Sequence, residues 1–384
     1  MKREAWLDFL RVTACFMVMV IHSTEPFYLG GDGGLILSAT DAFWVALFEG
    51  LCRCCVPVFL MASAYLQFPL HYSAGEFFKR RAVRILIPMA FWTLVYALVW
   101  GPPVENLKGL LLNFNYAAGH LWFVYMLVGI YLIMPLLSPW AEKVSKQELS
   151  IYLGIWLFTL LIPFVRELGS GGPAPLIQAA DGLPSAALFP LWGEASWNPF
   201  GTFYYVSGFV GYMLFGLYIK RFIPNTRQKA TQGLILFLLG FTMIVFGLLR
   251  RFSDTGDSFP LSTDLACAVA WEVPITFCSL FVLCTTLGIT LIFRWRCSSE
   301  GRFYRNIILP LSKAGYGMYL IHMLVLAQFS GWFRSWLGLG ADGVLGAWTT
   351  PVQILATALC SFVVVGLVSV LLQRIPRVGK YLMG

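Results

Sequence analysis

Ten stretches of about 20 predominantly apolar residues recur along the chain, and their length restricts what it can fold into. An α-helix rises about 1.5 Å per residue, so about 20 residues cross the roughly 30 Å hydrocarbon core of a bilayer. We place the stretches near residues 7–27, 42–68, 83–100, 119–139, 148–165, 201–221, 230–249, 265–293, 307–329 and 350–373. The sequence therefore predicts an all-α polytopic integral membrane protein, a bundle of about ten transmembrane helices forming one domain over residues 1–384.

The composition agrees with a membrane protein and not with a soluble one. Hydrophobic residues make up 58% of the chain and charged residues only 12%, whereas soluble domains carry about 25% charged residues. In a soluble protein the formal net charge of +8 would suggest an acidic partner. Here we interpret the basic residues as determinants of membrane orientation and expect no nucleic-acid partner.

The basic residues are concentrated in alternate connections between the predicted helices. Nineteen of the 27 Lys and Arg residues lie in one set of connections, and the other set holds five, which are Lys108, Arg166, Arg250, Arg251 and Arg334. Cytoplasmic loops of membrane proteins are rich in Lys and Arg. The pattern therefore predicts an even number of helices with both termini in the cytoplasm.

The longest connection, about residues 166–200, then faces outward. It is rich in Gly and Pro and carries Trp192 and Trp197. One interpretation is an interfacial lid whose tryptophans lie at the level of the lipid headgroups, as tryptophans often do. The other is an exposed aromatic platform for a sugar ring. We favour the lid.

The nine cysteines predict neither a disulfide framework nor a metal site. Most are scattered singly through the apolar stretches, and the cluster Cys52-Arg53-Cys54-Cys55 lies inside a predicted helix. Its spacing differs from that of zinc-binding motifs. We interpret the cysteines as small packing residues and expect no bound metal.

The first predicted helix carries two ionisable residues, Arg11 and His22. At about 100° per residue, eleven residues return a helix to within roughly 20° of its starting face and span about 16 Å. Both side chains therefore lie on one stripe. An ionisable group inside a membrane helix costs on the order of 2.5–3.5 kcal/mol, so a functional role is the first hypothesis. Alternatively, Arg11 extends to the headgroups and His22 hydrogen-bonds a neighbouring helix.

Three of the four histidines fall at a similar predicted depth. His22, His120 and His322 all lie in the outer half of the membrane, whereas His71 lies in a cytoplasmic loop. Trp122 follows His120 at the outer end of the fourth predicted helix. The sequence therefore predicts a histidine pocket in the outer half.

Two acidic residues are also predicted in the outer half. Glu272 lies in the eighth predicted helix, and Glu49 lies in the second, four residues before Arg53. Side chains four residues apart are neighbours on a helix. We expect a structural Glu49–Arg53 pair.

A basic segment, Lys79-Arg80-Arg81-Ala-Val-Arg84, precedes the third predicted helix. It could simply be a flank that binds anionic lipids. However, Arg81 and Arg84 are three residues apart on one helix face, an arrangement suited to binding phosphates. Together with Arg11 they predict a basic pocket on the cytoplasmic side for an anionic donor.

Five motifs follow one another along the chain. They are Arg11 with His22, residues 56–65, Arg81-Ala-Val-Arg84 with Pro88, His120-Leu-Trp-Phe123 with Tyr131 and Pro135, and residues 315–322 ending in His322. These motifs and their order resemble the membrane acyltransferase-3 family of bacterial glycan O-acyltransferases over nearly the whole chain. In the second motif, the glycine that usually follows the serine in that family is replaced here by Ala64.

The resemblance implies an enzyme that transfers an acyl group, acetyl being the expected one, to a sugar hydroxyl. The donor would be cytoplasmic acetyl-CoA or another acyl-CoA, and the acceptor a lipid-linked or cell-surface glycan. The protein would be a multi-pass O-acetyltransferase of the bacterial cytoplasmic (inner) membrane, surrounded by membrane lipids and without a metal.

It also implies roles for the residues named above. Arg81, Arg84 and Arg11 would bind the CoA phosphates, and His22 would act either as a general base or as an acyl-carrying nucleophile. Glu272 is the candidate for orienting an imidazole. The acceptor site would be formed by His120, Trp122, Tyr316, Tyr319 and His322.

A transporter or flippase of a glycan intermediate is the alternative. In that case Arg11, His22 and Glu272 would form a proton relay, as intramembrane His and Glu do in some transporters. The sequence lacks paired helices broken by Gly or Pro in matching halves, which such transporters commonly have. We therefore favour the enzyme.

Overall fold

The structure is a computed structural model of the 384-residue chain. It describes residues 4–30, 33–114, 116–165, 193, 200–256, 258–264, 268 and 270–384. The predicted outward connection, with Trp192 and Trp197, lies almost entirely outside the described residues.

The described residues form fourteen α-helices in chain order. They are α1 Ala5–Thr24, α2 Ala39–Cys52, α3 Cys55–Gln67, α4 Ala74–Arg81, α5 Ile87–Val99, α6 Pro103–Gly109, α7 Trp122–Lys143, α8 Lys146–Thr159, α9 Val210–Phe222, α10 Arg227–Thr255, α11 Leu280–Arg296, α12 Leu309–Leu337, α13 Thr349–Gln373 and α14 Gly379–Met383. The predicted helical class is therefore confirmed, with one small sheet added.

Eight helical segments of the described chain are long and apolar enough to cross a membrane. They are Ala5–Phe27, Ala39–Gln67, Ala74–Val99, Gly119–Lys143, Lys146–Val165, Arg227–Thr255, Val273–Arg296 and Gly346–Gln373. The other two predicted stretches fall on α9, which has only 13 residues, and on α12, whose 29 residues include Lys313, His322 and Arg334. The total of about ten transmembrane helices and the cytoplasmic termini remain predictions.

Helix α1 is the central helix of the bundle. Most of its 20 residues are buried, and it packs against α2, α3, α11, α12 and α13. A helix that is apolar around its whole circumference belongs in the interior of a protein. Arg11 and His22 are among the few residues of α1 that are not fully buried, because they face an internal cavity.

A three-stranded antiparallel sheet, absent from the sequence prediction, connects distant parts of the chain. Its order is β1 (Leu29–Gly30), β2 (Gly33–Ile36) and β3 (Leu261–Asp264). Gly33 opposes Asp264, and a Cβ at Gly33 would lie only 2.2 Å from the carbonyl oxygen of Thr263. The strands can approach so closely because this position has no side chain. The sheet joins the segment after α1 to the segment before Glu272.

The predicted helix over residues 265–293 is interrupted: Ala268, Ala270 and Trp271 are helical, but this helical stretch ends before Glu272. Glu272 precedes a short 3-10 helix, Val273–Ile275, and α11 begins only at Leu280, where the Ser279 hydroxyl accepts a hydrogen bond from the backbone N–H of Val282. Pro274 has no N–H to donate, and Ser279 supplies a standard N-cap. Glu272 therefore lies outside a regular membrane helix.

Helices α10 and α11 form a close pair that depends on glycine. A Cβ at Gly288 would lie 2.6 Å from the carbonyl oxygen of Gly233, and a Cβ at Gly240 would lie 2.5 Å from that of Phe281. Small residues let helix backbones approach closely where helices pack inside a membrane. The pair consequently cannot accept a side chain at these positions without moving apart.

We predict that Gly288→Ala destabilises the protein by about 1–3 kcal/mol, because the added methyl group overpacks the contact with α10. Thermal unfolding in detergent micelles measures the change. Gly129→Ala on α7 is the matched control, since a Cβ at Gly129 meets nothing within 4 Å. Equal unfolding temperatures for the two variants would contradict the close packing.

Candidate active site

A cavity of about 300 Å³ lies inside the bundle, and we call it the central cavity. Its wall is formed by side chains from α1, α3, α7 and α12 together with the segments before α5 and α11. Arg11 and His22, about 16 Å apart along α1, both line it, and so does Arg81. The predicted stripe on the first helix therefore borders one continuous space.

A second, more open cavity of about 370 Å³ adjoins the arginine end of the central cavity. Arg11, Arg81 and Tyr316 line both, whereas Arg84 and Lys313 line only the second. We call this second cavity the basic mouth. The structure thus brings Arg11, Arg81 and Arg84 together, as the sequence analysis predicted, and adds Lys313.

A local widening of the helix positions the two arginines of the Arg-x-x-Arg motif. The chain leaves α4 at Arg81 and forms a π-helical turn, Ala82–Leu86, before α5. Pro88 lacks the N–H that would continue the regular hydrogen bonding of a helix, so the helix is irregular just before it. Such π-helical turns are common at functional sites. The Tyr316 hydroxyl donates to the carbonyl oxygen of Ile85 at 2.8 Å, which ties the turn to α12.

Arg81 is held in place by its surroundings, whereas Arg84 is exposed. The Arg81 guanidinium donates to Gln67. It also lies over the rings of Phe77 and Tyr131, at 5.3 and 5.1 Å from their centroids. Such stacking and hydrogen bonding orient a guanidinium. Arg81 is therefore preorganised, and Arg84 can adjust to a ligand in the basic mouth.

A buried carboxylate secures the start of α1 near the basic mouth. Asp8 is 3% exposed and accepts hydrogen bonds from the Tyr304 hydroxyl at 2.7 Å and the Ser312 hydroxyl at 2.5 Å. These bonds link α1 to α12 and to the π-helical turn Tyr304–Ile308 before it. They fix the helix one turn before Arg11. The sequence analysis missed Asp8, although an acidic residue inside an apolar stretch was a signal.

At the other end of the central cavity, a carboxylate binds the imidazole of His22. The Nδ1 atom of His22 lies 2.7 Å from Glu25 Oε1. A carboxylate at Nδ1 places the proton there and leaves Nε2 to act as a base. Glu272 was predicted to orient an imidazole; at His22 the structure places Glu25, and Glu272 accepts a hydrogen bond from Tyr28. The spacing of three residues between His22 and Glu25 was the missed signal.

The three histidines predicted at similar depth are neighbours. The ring centroid of His322 lies 5.2 Å from that of His22 and 5.1 Å from that of His120. The Nδ1 of His322 donates to the carbonyl oxygen of Tyr319 at 2.6 Å. Its Nε2 is buried and has no hydrogen-bond partner within the described part of the chain, as is also true of His120 Nε2.

A network of charged and hydroxyl groups surrounds the histidine end. The predicted Glu49–Arg53 pair is present, with 3.4 Å between Glu49 Oε2 and Arg53 Nη1. Glu49 also accepts from the Thr24 hydroxyl at 2.6 Å, and Arg53 Nε donates to the carbonyl oxygen of Ile275 at 2.9 Å. These hydrogen bonds compensate Glu49 and Arg53 for the solvation that their charges lose on burial.

Glu272 belongs to the same network through Tyr28. The Tyr28 hydroxyl donates to Glu272 Oε1 at 2.8 Å. Burial, with the nearby Glu272 and Glu49 carboxylates, raises the pKa of Tyr28 well above its ordinary value, so the hydroxyl keeps its proton and remains a donor. Glu272 and Arg53 both line the central cavity and can present polar groups to a ligand there.

Aromatic side chains complete the wall near the histidines. Trp122 stacks on Phe277 with 5.5 Å between ring centroids, and Arg53 lies 4.5 Å from the centroid of Phe277. The predicted acceptor-site residues that line the central cavity are His120, Trp122, Tyr316 and Tyr319. His322 does not line it and instead borders a small cavity behind Tyr319.

Among the described residues, no group of three or more His, Cys, Asp or Glu side chains is arranged to hold a metal ion. The described cysteines are free thiols.

A family model described as an acyltransferase domain, Acyl_transf_3, matches residues 4–370. The chain therefore belongs to this acyltransferase family. No curated protein and no solved structure matches it. Membership makes the protein an acyltransferase that uses an acyl donor and an acceptor.

We predict that Arg53→Leu destabilises the fold by about 3–5 kcal/mol, because it leaves the Glu49 carboxylate buried without its counter-charge. The double variant Arg53→Leu/Glu49→Leu should recover part of the loss. Thermal unfolding in detergent micelles measures both.

The control for this prediction is an exposed pair with the same spacing. Arg250 and Asp254 lie 3.0 Å apart with side chains 68% and 49% exposed, and such surface pairs contribute little. Arg250→Leu should leave the unfolding temperature nearly unchanged. If the double variant is no more stable than Arg53→Leu alone, the loss of stability does not come from the unpaired Glu49 carboxylate.

Proposed function

We propose that this protein is a membrane O-acetyltransferase that moves an acetyl group from cytoplasmic acetyl-CoA to a hydroxyl of a lipid-linked or cell-surface glycan. The observation that carries the proposal is the central cavity. Arg11 and Arg81 line one end of it, where Arg84 joins them at the adjoining basic mouth, and a histidine bound to a carboxylate lies at the other end. A donor with phosphates at one end and a reactive thioester at the other matches this arrangement.

The basic mouth is the proposed binding site for the phosphates of CoA. Arg11, Arg81 and Arg84 offer planar guanidinium groups that can form paired hydrogen bonds with phosphate oxygens. Lys313 adds a fourth positive charge at the same cavity. The pantetheine arm would then run along the central cavity, over roughly the 16 Å that separate Arg11 from His22.

His22 is the proposed general base. Its Nε2 takes the proton of the acceptor hydroxyl while the hydroxyl oxygen attacks the thioester carbonyl carbon. The carbon–sulfur bond then breaks, and the CoA thiolate receives the proton from the imidazolium. Glu25 holds the imidazole in the required tautomer and stabilises its charged form. If His22 instead carries the acetyl group, CoA is released before the acceptor binds.

The acceptor is proposed to bind at the histidine end. Trp122 offers a flat apolar face for a sugar ring, and Glu272, Arg53 and Tyr319 offer hydrogen-bonding groups around it. Phe203-Tyr-Tyr205, Trp271-Glu-Val273 and Leu372-Gln-Arg-Ile375 resemble segments of the enzyme that acetylates enterobacterial common antigen. We therefore propose a glycan of this type.

The proposed setting is the bacterial inner membrane. The basic mouth would face the cytoplasm, where acyl-CoA is available, and the connection over residues 166–200 would face outward. The concentration of Lys and Arg in alternate connections supports this orientation. Membership of an acyltransferase family favours group transfer over transport of the glycan.

We predict that His22→Ala abolishes CoA-thiol release at saturating acetyl-CoA, and that Glu25→Gln lowers kcat at least about tenfold, since the imidazole loses the group that orients it. Purified protein, acetyl-CoA and a crude lipid-linked glycan fraction suffice for the assay. His71→Ala is the control, because His71 is exposed and lines neither the central cavity nor the basic mouth. Full activity of His22→Ala would refute the general-base role.

We predict that Arg84→Ala raises the KM for acetyl-CoA by about 10–100-fold and changes kcat much less. A charge-assisted hydrogen bond contributes roughly 1.5–3 kcal/mol, and a phosphate contact far from the reacting atoms acts on binding. Initial rates over a range of donor concentrations separate the two parameters. Arg227→Ala, an exposed arginine at the start of α10, should leave both unchanged. A fall in kcat with an unaltered KM would argue against phosphate binding.

A further inference from the structure

A very small apolar cavity lies next to the central cavity, and we call it the side pocket. Its volume is about 10 Å³, and it is enclosed by side chains of α1, α3 and α12. Val18, Phe59 and Tyr319 line both the side pocket and the central cavity. The two spaces therefore adjoin at these shared side chains.

The side pocket lies directly beside the proposed base. Cys15, Val18 and Met19 line it and precede His22 by seven, four and three residues, so all four side chains share one face of α1. His322, which also lines the side pocket, has its ring centroid 5.2 Å from that of His22. A group in the side pocket is thus within one or two helical turns of the His22 imidazole, on the side toward the basic mouth.

The size of the side pocket limits what can enter it. A cavity holds one water-sized group when the volume open to the centre of such a group is about 10–15 Å³. An apolar cavity of this size contains no water. A methyl group has about the size of one water molecule and needs no hydrogen bond. Each further methylene group would have to displace packed side chains, which protein interiors resist.

The polarity of the side pocket excludes charged acyl groups. The Nδ1 of His322 donates to the carbonyl oxygen of Tyr319, so its Nε2 carries a lone pair and no proton. That Nε2 is buried and has no partner among the residues that the structure describes. A carboxylate, such as the distal group of a succinyl chain, would find no free donor there, because the Cys15 thiol and the Tyr319 hydroxyl already donate to the carbonyl oxygens of Gly315 and His120.

We propose that the side pocket receives the methyl group of the transferred acetyl group, and that Met318 and Phe59 limit the acyl chain to two carbons. The proposal rests on the proposed function and makes it more specific, because it selects acetyl among the acyl groups that a family member could transfer. With the methyl group in the side pocket, the thioester carbonyl lies toward His22 and the acceptor hydroxyl.

The experiment compares CoA-thiol release from acetyl-, propionyl-, butyryl- and succinyl-CoA with the same glycan fraction. For the wild type we expect kcat/KM to fall about 10–200-fold from acetyl to propionyl, the range typical of one extra methylene group in an apolar pocket. Butyryl- and succinyl-CoA should be still poorer donors. Met318→Ala should lower the acetyl-to-propionyl ratio at least about tenfold.

Two further variants keep the test decisive. Met323→Ala removes a methionine from the same helix that lines neither cavity, and it should keep the wild-type ratio. If Met318→Ala does not fold, Met318→Val makes a smaller opening and should shift the ratio in the same direction. Thermal unfolding in detergent micelles verifies that each variant is folded.

The outcomes separate this proposal from the proposed function. Equal use of acetyl- and butyryl-CoA by the wild type would overturn the side pocket as a length limit and leave the acyltransferase reaction intact. An unchanged acetyl-to-propionyl ratio of kcat/KM in both folded Met318 variants would also overturn the side pocket as a length limit. If the folded wild type released no thiol from any of the four thioesters, the proposed function would fail and this proposal with it.

Discussion

The burial of one nearly all-apolar helix at the centre of the bundle is the constraint on which the rest of the structure depends. Helix α1 packs against α2, α3, α11, α12 and α13, so α3 and α12, which form much of the site, are positioned directly against it. Charged groups on such a helix are tolerated only where they reach a cavity or a partner. Arg11 and His22 both reach the central cavity, and the length of helix between them sets the spacing of the two ends of the site.

Three ionisable groups on or near α1, Asp8, His22 and Glu49, are each held by a specific partner from another element or from the next turn. Asp8 binds the Tyr304 and Ser312 hydroxyls at one end, and Glu25 binds His22 at the other. Glu49 binds Thr24, the last residue of α1. Buried polar groups are costly unless they are satisfied in this way. These contacts therefore serve two purposes, since they stabilise charges within an apolar bundle and orient the groups that face the cavity.

The parts of the site that sequence reasoning predicted are those that follow from helix geometry. The shared stripe of Arg11 and His22, the Glu49–Arg53 pair and the common depth of His22, His120 and His322 all depend on rise and rotation per residue. Asp8 was missed because its role depends on hydroxyl groups about 300 residues away in the chain, whereas Glu25 was missed although its spacing of three residues from His22 is local. The prediction that Glu272 lies within a continuous helix was wrong because the helix is interrupted between Glu272 and Ser279.

By itself the sequence determined that this chain is a helical membrane protein and which residues its central helix presents along one stripe, because hydrophobic length and helical periodicity are local properties of the chain. Only the tertiary structure decided that Lys313 joins the three arginines at one mouth, that Asp8 binds Tyr304 and Ser312, and that a side pocket of about 10 Å³ lies beside the central cavity. The physical reason is that these features arise from packing between segments up to about 300 residues apart in the chain, as in the Asp8–Ser312 contact. No local pattern encodes the shape of a cavity formed in this way.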